Sequence, residues 1–263
     1  MPDDPAAAGR SPARHARSLQ AAFSFLTRLG PAKIYASAEM QGCPAWFPVV
    51  GIAVGALLWL IASCAARMSS QPGTAAALLA ALLVTAADMW LTRGLHYDAA
   101  ADICDAMGSG ARGPRFAEIL KDSRLGAFGG MGLAVAVLAR LLSVAALLLK
   151  GNAAALIPAC CLGRVFLLLP PAFLEPAPWS SLGAILRSPS AKPRFWAWLA
   201  AAAVLCFLAV PLPACLAAAV MCAFFSVLLV RTAAREGGYN GDFAGALCLA
   251  CESSVLFCAA LFG

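Results

Sequence analysis

Apolar residues along this chain fall into about seven long runs separated by short polar segments, and each run approaches the ~20 residues that a helix needs to cross a bilayer. The fifth and sixth runs are separated by little more than Pro211 and Pro213, which predicts a tight hairpin or one broken element. The pattern predicts an all-α fold, a polytopic integral membrane bundle of about seven transmembrane helices. The predicted spans are 47–67, 74–92, 127–149, 152–174, 195–211, 213–231 and 243–262.

The chain before the first span divides into two parts. Residues 1–18 lack an apolar core and are predicted to form a disordered basic arm. In residues 19–29 apolar side chains recur at helical spacing, which predicts an amphipathic helix in the membrane interface. These side chains are Leu19, Ala22, Phe23, Leu26 and Leu29. Residues 19–263 are predicted to form a single membrane domain.

The composition agrees with a membrane protein. The chain is 62% hydrophobic and 12% charged, with a mean hydropathy of +0.83. Soluble domains carry roughly twice that fraction of charged residues. The 11 cysteines lie mostly inside the predicted spans, where small apolar packing is favoured over a disulfide framework.

The distribution of basic residues predicts the orientation in the membrane. Most of the 19 Lys and Arg residues lie in four segments that a seven-span topology places on one side. By the positive-inside rule these segments are cytoplasmic. The net charge of +6 suits a leaflet of anionic lipid, and no basic run is interleaved with aromatics as a nucleic-acid partner would require. The segments are the N-terminal arm, 93–126, 175–194 and 231–242.

Three carboxylates stand close together in the second of these segments. Asp98, Asp102 and Asp105 are spaced by four and three residues, so a helix places them on one face. The whole chain has only 13 Asp and Glu. Like charges on one helix face repel each other, and a divalent cation would offset this repulsion.

A second polar cluster follows at Lys121, Asp122 and Arg124. Carboxylate oxygens suit Mg²⁺, and Lys and Arg suit phosphate oxygens. Together the clusters predict a metal–diphosphate site, although solvated carboxylates and an ordinary surface salt bridge would give the same pattern. The functional interpretation is favoured because a charge-poor protein concentrates its acids here.

Other polar residues leave more than one interpretation open. His96 is a proton acceptor, a phosphate donor or a structural hydrogen-bond partner. Arg140, Arg164 and Glu252 lie within spans, where ionisable groups are functional candidates, and Arg140 and Glu252 can also pair with each other. Asp242 is a site residue or the cap of the helix that starts at Phe243.

Glycines follow the second cluster and also allow two interpretations. Gly126 and Gly129 can bring backbone N–H groups to a phosphate near a helix N-terminus. Close helix packing is favoured for Gly132.

These motifs resemble the cobalamin synthase family, the adenosylcobinamide-GDP ribazoletransferases, from about residue 20 to the end. The signature around Asp98 and the segment that starts at Lys121 carry most of the specificity. The departures are Ala99, Ala100, Ile103, Ala106 and Asn240. The matching segments are Phe25-Leu-Thr-Arg28-Leu-Gly-Pro31, Phe47-Pro-Val-Val-Gly51-Ile-Ala-Val-Gly55, Gly94-Leu-His96-Tyr-Asp98 with Asp102 and Asp105, Lys121-Asp122-Ser123-Arg124-Leu-Gly126-Ala-Phe-Gly129, and Gly241-Asp242-Phe-Ala-Gly245-Ala246 with Glu252.

The resemblance implies a reaction, a cofactor and a location. The donor is adenosylcobinamide-GDP, the acceptor is α-ribazole or its 5′-phosphate, and the products are adenosylcobalamin or its 5′-phosphate and GMP. The family uses Mg²⁺ and resides in the bacterial inner membrane. Whether the chain forms homo-oligomers or associates with other corrinoid enzymes is left open.

Roles for individual residues follow as hypotheses from the resemblance. Metal ligands are expected among the aspartates, the proton acceptor is Asp105 or His96, and cationic side chains bind phosphate. The expected metal ligands are Asp98, Asp102 and Asp122. The expected substrate-binding residues are Arg93, Lys121, Arg124, Arg164 and Asp242.

Two other functions compete with this one. The aspartate spacing is similar to that of the CDP-alcohol phosphotransferases, but Ala99 replaces the glycine of their signature and their arginine is missing. A transporter would use Arg140, Arg164 and Glu252 along a substrate path, but no internal repeat typical of transporters is seen.

Overall fold

The computed structural model describes residues 12–68, 73–188 and 190–263, and this part of the chain is helical without a named strand. One isolated parallel bridge joins Pro176 to Tyr239. The predicted all-α class is therefore confirmed. The helices are α1 Pro12–Leu26, α2 Ser37–Gly42, α3 Phe47–Met68, α4 Thr74–Leu91, α5 Leu95–Gly108, α6 Pro114–Lys121, α7 Ala127–Leu149, α8 Leu156–Phe166, α9 Leu169–Phe173, α10 Ser181–Leu186, α11 Ala191–Ala209, α12 Leu212–Arg235 and α13 Gly241–Phe262.

Seven segments in the described chain are long and apolar enough to cross a membrane, which confirms the predicted number of spans. Each coincides with one predicted run. The fifth and sixth are two separate helices, α11 and α12, that meet in a tight hairpin at Pro211, so the single broken element is excluded. The fourth is itself interrupted between α8 and α9, because Pro170 and Pro171 cannot donate backbone hydrogen bonds.

Helices α8 and α13 form the centre of the bundle, whereas α11 and α12 expose many of their apolar side chains. Close packing of α3 on α8 depends on two glycines. A β-carbon on Gly51 would lie 2.4 Å from the carbonyl oxygen of Cys160, and one on Gly55 would lie 2.7 Å from the Cα of Ile157. Small residues at such contacts let membrane helices approach each other, since burial from water does not drive their association.

Helix α1 begins earlier than the predicted interfacial helix. Of the predicted disordered arm, residues 1–11 lie outside the described residues and residues 12–18 belong to α1. The predicted apolar face is partly confirmed, because Ala22 and Leu26 are buried. Leu29 lies beyond the end of the helix and is half exposed.

The four polar segments contact one another at one end of the bundle, here called the polar end. Arg93 binds the end of α1, the N–H of Gly113 donates to Glu236 at 2.7 Å, and the N–H of Ala177 donates to the carbonyl of Tyr239 at 2.8 Å. Lys150 lies at the opposite end, where its Nζ donates to the carbonyl of Ala260 at 2.8 Å. The segments grouped by the sequence therefore share one end.

Candidate functional site at the polar end

Helix α5 carries the three aspartates, as predicted, and a sharp turn positions it. Arg93 and Gly94 connect α4 to α5 with positive φ angles of 56° and 67°. Nη2 of Arg93 donates to the carbonyls of Ser24 and Thr27, at 2.9 and 2.6 Å. Arg93 therefore ties α1 to the start of α5, which differs from the phosphate-binding role expected of it.

A cluster of four carboxylates forms where α5 meets the N-terminus of α13. The neighbouring charges that affect Asp102 are those of Asp242, Asp98 and Asp105. Partial burial, together with these charges, raises the pKa of Asp102 from 3.8 to about 7. Asp242 comes from a segment more than a hundred residues away, so the structure adds a carboxylate that the spacing along α5 could not reveal.

Asp242 belongs to the cluster because Asn240, and not Asp242, caps α13. The side-chain oxygen of Asn240 accepts from the N–H of Phe243 at 3.1 Å. Its amide nitrogen donates to Oδ2 of Asp242 at 2.6 Å and holds that carboxylate in place. The capping interpretation of Asp242 was therefore wrong.

Close contact between α5 and α13 requires a glycine. A β-carbon on Gly245 would lie 2.6 Å from that of Ala99. Ala99 stands where the family signature has glycine, so in this chain Gly245 supplies the space that Ala99 takes. This departure is accommodated between the two helices that carry the carboxylates.

Asp105 holds the N-terminus of α7. Its two side-chain oxygens accept the N–H groups of Gly126 and Gly129, at 2.8 and 2.7 Å. These are the N–H groups that the sequence offered to a phosphate. Both oxygens are thereby engaged, and the carboxylate is favourably placed at the positive end of a helix. This geometry favours a positioning role over the proton acceptor expected of Asp105.

Asp105→Ala is expected to lower the free energy of unfolding by about 1–3 kcal/mol, because two backbone donors lose their acceptor. Heating the purified protein with a thiol-reactive fluorophore measures this, since most of the cysteines are buried. Glu118→Ala is the control, because the exposed pair of Glu118 with Arg115 contributes less than about 1 kcal/mol. Equal melting temperatures for the two variants would contradict the role of Asp105.

The second polar cluster lies at the surface, where Asp122 pairs with Arg124. Nη2 of Arg124 lies 2.7 Å from Oδ2 of Asp122, and this guanidinium lowers the pKa of the carboxyl to about 2. Lys121 lies over the ring of Trp179, with Nζ 4.9 Å from the ring centroid. Among the described residues, no three carboxylates form a group that could hold a metal ion, so Asp122 does not join the other two expected metal ligands.

His96 is 3% exposed, and neither of its ring nitrogens has a hydrogen-bond partner in the described chain. Burial, with the charge of Arg164 next, lowers the pKa of His96 to about 3. The imidazole is therefore neutral at physiological pH and a weak base. It lines a cavity of about 110 Å³ with Asp98 and Asp242.

Arg164 lies in an ion-pair network in the centre of the bundle. Its guanidinium binds Glu252, which also binds Arg140. Nη2 of Arg140 lies 3.4 Å from Asp88, whose Oδ2 accepts the hydroxyl of Tyr97 at 3.1 Å. The pairing interpretation is therefore confirmed for Arg140 and Glu252. Arg164 is engaged in the same network, which differs from its expected role in binding substrate.

The donor atoms of the carboxylate cluster suit a hard cation. In the described part of the chain, no three His, Cys, Asp or Glu side chains converge as a ready-made metal site. Mg²⁺ does not require one, because it keeps several waters and binds through one or two carboxylates plus substrate phosphates. Burial, and then the charges of Asp242, Asp98 and Asp105, raise the pKa of Asp102, so a cation bound beside it would favour the ionised carboxylate.

Comparisons with known proteins identify the family of this chain. A family model described as cobalamin-5-phosphate synthase matches residues 18–260. An adenosylcobinamide-GDP ribazoletransferase from Nitratidesulfovibrio vulgaris strain Miyazaki F is 41% identical over 243 residues, which cover 91% of this chain and 93% of that protein. The chain belongs to the cobalamin-5-phosphate synthase family.

Further relatives carry the same name, and the similarity covers the polar end and the spans together. The enzyme of Nitratidesulfovibrio vulgaris strain DP4 is 34% identical over 240 residues, covering 91% of this chain and 96% of the relative. That of Klebsiella pneumoniae strain 342 is 37% identical over 154 residues, covering 56% and 60%. No solved structure matches the chain.

Proposed function

We propose that this chain is an adenosylcobinamide-GDP ribazoletransferase that joins the cobinamide-phosphoryl group of its donor to a ribose hydroxyl of α-ribazole or α-ribazole 5′-phosphate and releases GMP. Membership of the family supports the reaction. The observation that carries the site is the carboxylate cluster of α5 and α13, with Asp102 at a pKa of about 7. A diphosphate donor with a divalent cation is the ligand that such a cluster fits.

Mg²⁺ is the proposed cofactor, and Asp98 and Asp102 are its proposed ligands because they lie one turn apart on α5. Bound there, the cation would neutralise charge on the diphosphate of the donor. Asp122 is not proposed as a metal ligand, because its carboxylate already binds Arg124. Asp242 is the remaining carboxylate beside the pair.

Asp242 is the proposed proton acceptor. Its Oδ2 accepts from Asn240, so Oδ1 is left to take the proton of the ribose hydroxyl. The ribose oxygen then bonds to the cobinamide phosphorus as the phosphoanhydride bond breaks, and GMP leaves with that bonding pair. Lys121 and Arg124 are the proposed ligands of phosphate oxygens, because Arg124 binds Asp122 through Nε and Nη2 and can offer Nη1 to the anion.

The polar end is proposed to face the cytoplasm of a bacterial inner membrane, with α13 entering the lipid from that side. The concentration of basic residues supports this orientation. A reporter fused after Lys150 is expected to lie outside the cytoplasm, and a cytoplasmic signal would overturn the orientation.

The reaction is tested by GMP release from adenosylcobinamide-GDP and α-ribazole, with purified protein in lipid nanodiscs. Release is expected with Mg²⁺ and is expected to stop with a chelator. Release of CMP from a CDP-alcohol under the same conditions would instead identify a CDP-alcohol phosphotransferase. Uptake of adenosylcobinamide-GDP into proteoliposomes without chemical change would identify a transporter.

The raised pKa of Asp102 predicts that stability depends on pH without Mg²⁺ and depends on it much less with Mg²⁺. A carboxyl whose pKa is raised in the folded state, from 3.8 to about 7, contributes less stability as pH rises between these values. Without divalent ions the melting temperature is expected to fall between pH 5 and pH 8, and Mg²⁺ is expected to remove most of this fall at pH 8. Asp102→Asn is the control, and an equally steep fall in this variant would contradict the assignment.

A further inference from the structure

An apolar cavity of about 110 Å³ lies directly beside the carboxylate cluster. Two of its aromatic walls, Phe25 and Phe47, are stacked with their ring centroids 5.9 Å apart and their planes at 18°. Helix α10 closes another side. The apolar side chains that line the cavity include Phe25, Leu26, Phe47, Leu167, Leu182 and Leu186.

Three polar side chains line the same cavity and divide it into an inner and an outer part. His96 is buried, and both of its nitrogens lack partners within the described chain. Asp98 is exposed and Asp242 is partly exposed, so these two mark the open side. A buried polar group without a partner costs free energy unless a ligand or water satisfies it.

We propose that this cavity binds the heteroaromatic base of the acceptor nucleoside, with His96 hydrogen-bonded to the ring nitrogen that carries no sugar. The inference rests on the proposed function, which supplies an acceptor built from a benzimidazole and a ribose. A cavity of ~150 Å³ is known to bind benzene, so about 110 Å³ with an open side takes one ring of a bicyclic base. A neutral imidazole has one N–H donor, and the free ring nitrogen is an acceptor.

The orientation of the nucleoside follows from the polarity of the cavity. With the base against Phe25 and Phe47, the ribose lies at the open side beside Asp98 and Asp242. There the hydroxyl reaches the proposed proton acceptor, while the base stays away from the carboxylates. The cavity thus binds the acceptor by its apolar part and presents its reactive part to the cluster.

The guanine of the donor is a poorer occupant of this cavity. Guanine carries a carbonyl, a ring N–H and an amino group on its edge, and each needs a partner when it leaves water. Apart from His96 and the two aspartates, the side chains that line the cavity are apolar. A benzimidazole carries methyl groups or hydrogens on that edge, so it loses no hydrogen bonds on entering.

Leu182→Phe tests the cavity by filling it from α10. This variant is expected to raise the KM for α-ribazole by about tenfold, because the larger side chain occupies space that the base would fill. The KM for adenosylcobinamide-GDP is expected to change by no more than about twofold, because the donor binds outside the cavity that the larger side chain fills. Ile185→Phe is the matched control, since Ile185 lies on the same helix, is 36% exposed and does not line the cavity.

The role of His96 is tested with an α-ribazole analogue in which C–H replaces the free ring nitrogen. Isothermal titration of the wild type is expected to show about tenfold weaker binding of the analogue, the size of one hydrogen bond. In His96→Phe the two ligands are expected to bind equally. This readout needs no turnover, and a merely structural histidine would leave the discrimination unchanged.

These experiments distinguish an error in the proposed role of the cavity from an error in the proposed reaction. If the wild type releases no GMP with either acceptor, the proposed function is wrong and the inference falls with it. If GMP is released and Leu182→Phe behaves as Ile185→Phe does, the base binds elsewhere and only the cavity is overturned. A rise in the donor KM alone, with Leu182→Phe, would assign the cavity to guanine and overturn the inference.

Discussion

Asp102→Asn is expected to lower the rate of GMP release by about a thousandfold, and Asp98→Asn by a similar factor. Both variants remove a negative charge from the proposed ligand pair, so the cation that offsets charge on the diphosphate binds weakly. The amide is nearly isosteric with the carboxylate, so the fold is retained. Single-turnover GMP release in nanodiscs measures this loss of rate. It is measured at a Mg²⁺ concentration that saturates the wild type and again at a tenfold higher concentration.

Stability distinguishes loss of the site from loss of the fold. Asp102→Asn relieves repulsion among neighbouring carboxylates, so without divalent ions its melting temperature is expected to equal or exceed that of the wild type. Glu118→Gln is the control for activity, because Glu118 is exposed on α6 and pairs only with Arg115 among the described contacts. Full GMP release by Asp98→Asn and Asp102→Asn would show that the cluster is not the reaction centre.

The spacing of residues along the chain was sufficient to predict the features that depend on local helical periodicity. Asp98 and Asp102 lie on one helix as their spacing predicts, and the apolar runs became the membrane-crossing helices. Each of these features is set within about twenty residues by helix geometry and the thickness of a bilayer.

Partners distant in sequence could not be predicted in this way. Asp105 fits the same helical face as its neighbours, but its oxygens accept N–H groups 21 and 24 residues away. Asp242 comes close to α5 where Gly245 lets α13 approach Ala99. The sequence contained a signal for both, the Gly-rich segments at 126–132 and 241–245, but not which group each would face.

The buried ion pairs in the centre of the bundle link α5 and α13, the two helices that carry the carboxylate cluster. Helix α13 carries Asp242 at the polar end and Glu252 three turns further on, and α5 carries Tyr97 beside Asp98. Tyr97 binds Asp88, which lies in the same network as Glu252. The network therefore fixes α13 relative to α5, and with it the distance between the carboxylates that each helix supplies.

Glu252→Gln is expected to destabilise the protein by about 3–5 kcal/mol, because two buried guanidinium groups lose the charge that both of them bind. Glu252 is 2% exposed, and Arg140 and Arg164 are as deeply buried. Glu175→Gln is the matched control, since Glu175 pairs with Arg187 at 2.6 Å on the surface, where a pair contributes less than about 1 kcal/mol. Unfolding by SDS titration and the melting temperature measure the difference.

A charge-balanced double variant tests whether charge or packing is responsible. Arg164→Met with Glu252→Leu removes one cation and one anion and leaves Arg140 beside Asp88. Replacing a buried pair by apolar residues of similar volume is often neutral, whereas removing one partner strands a charge. The double variant is therefore expected to recover more than half of the stability lost in Glu252→Gln. A double variant as unstable as the single one would show that the side chain of Glu252 acts through its shape, in the space that Gly163 leaves open for it.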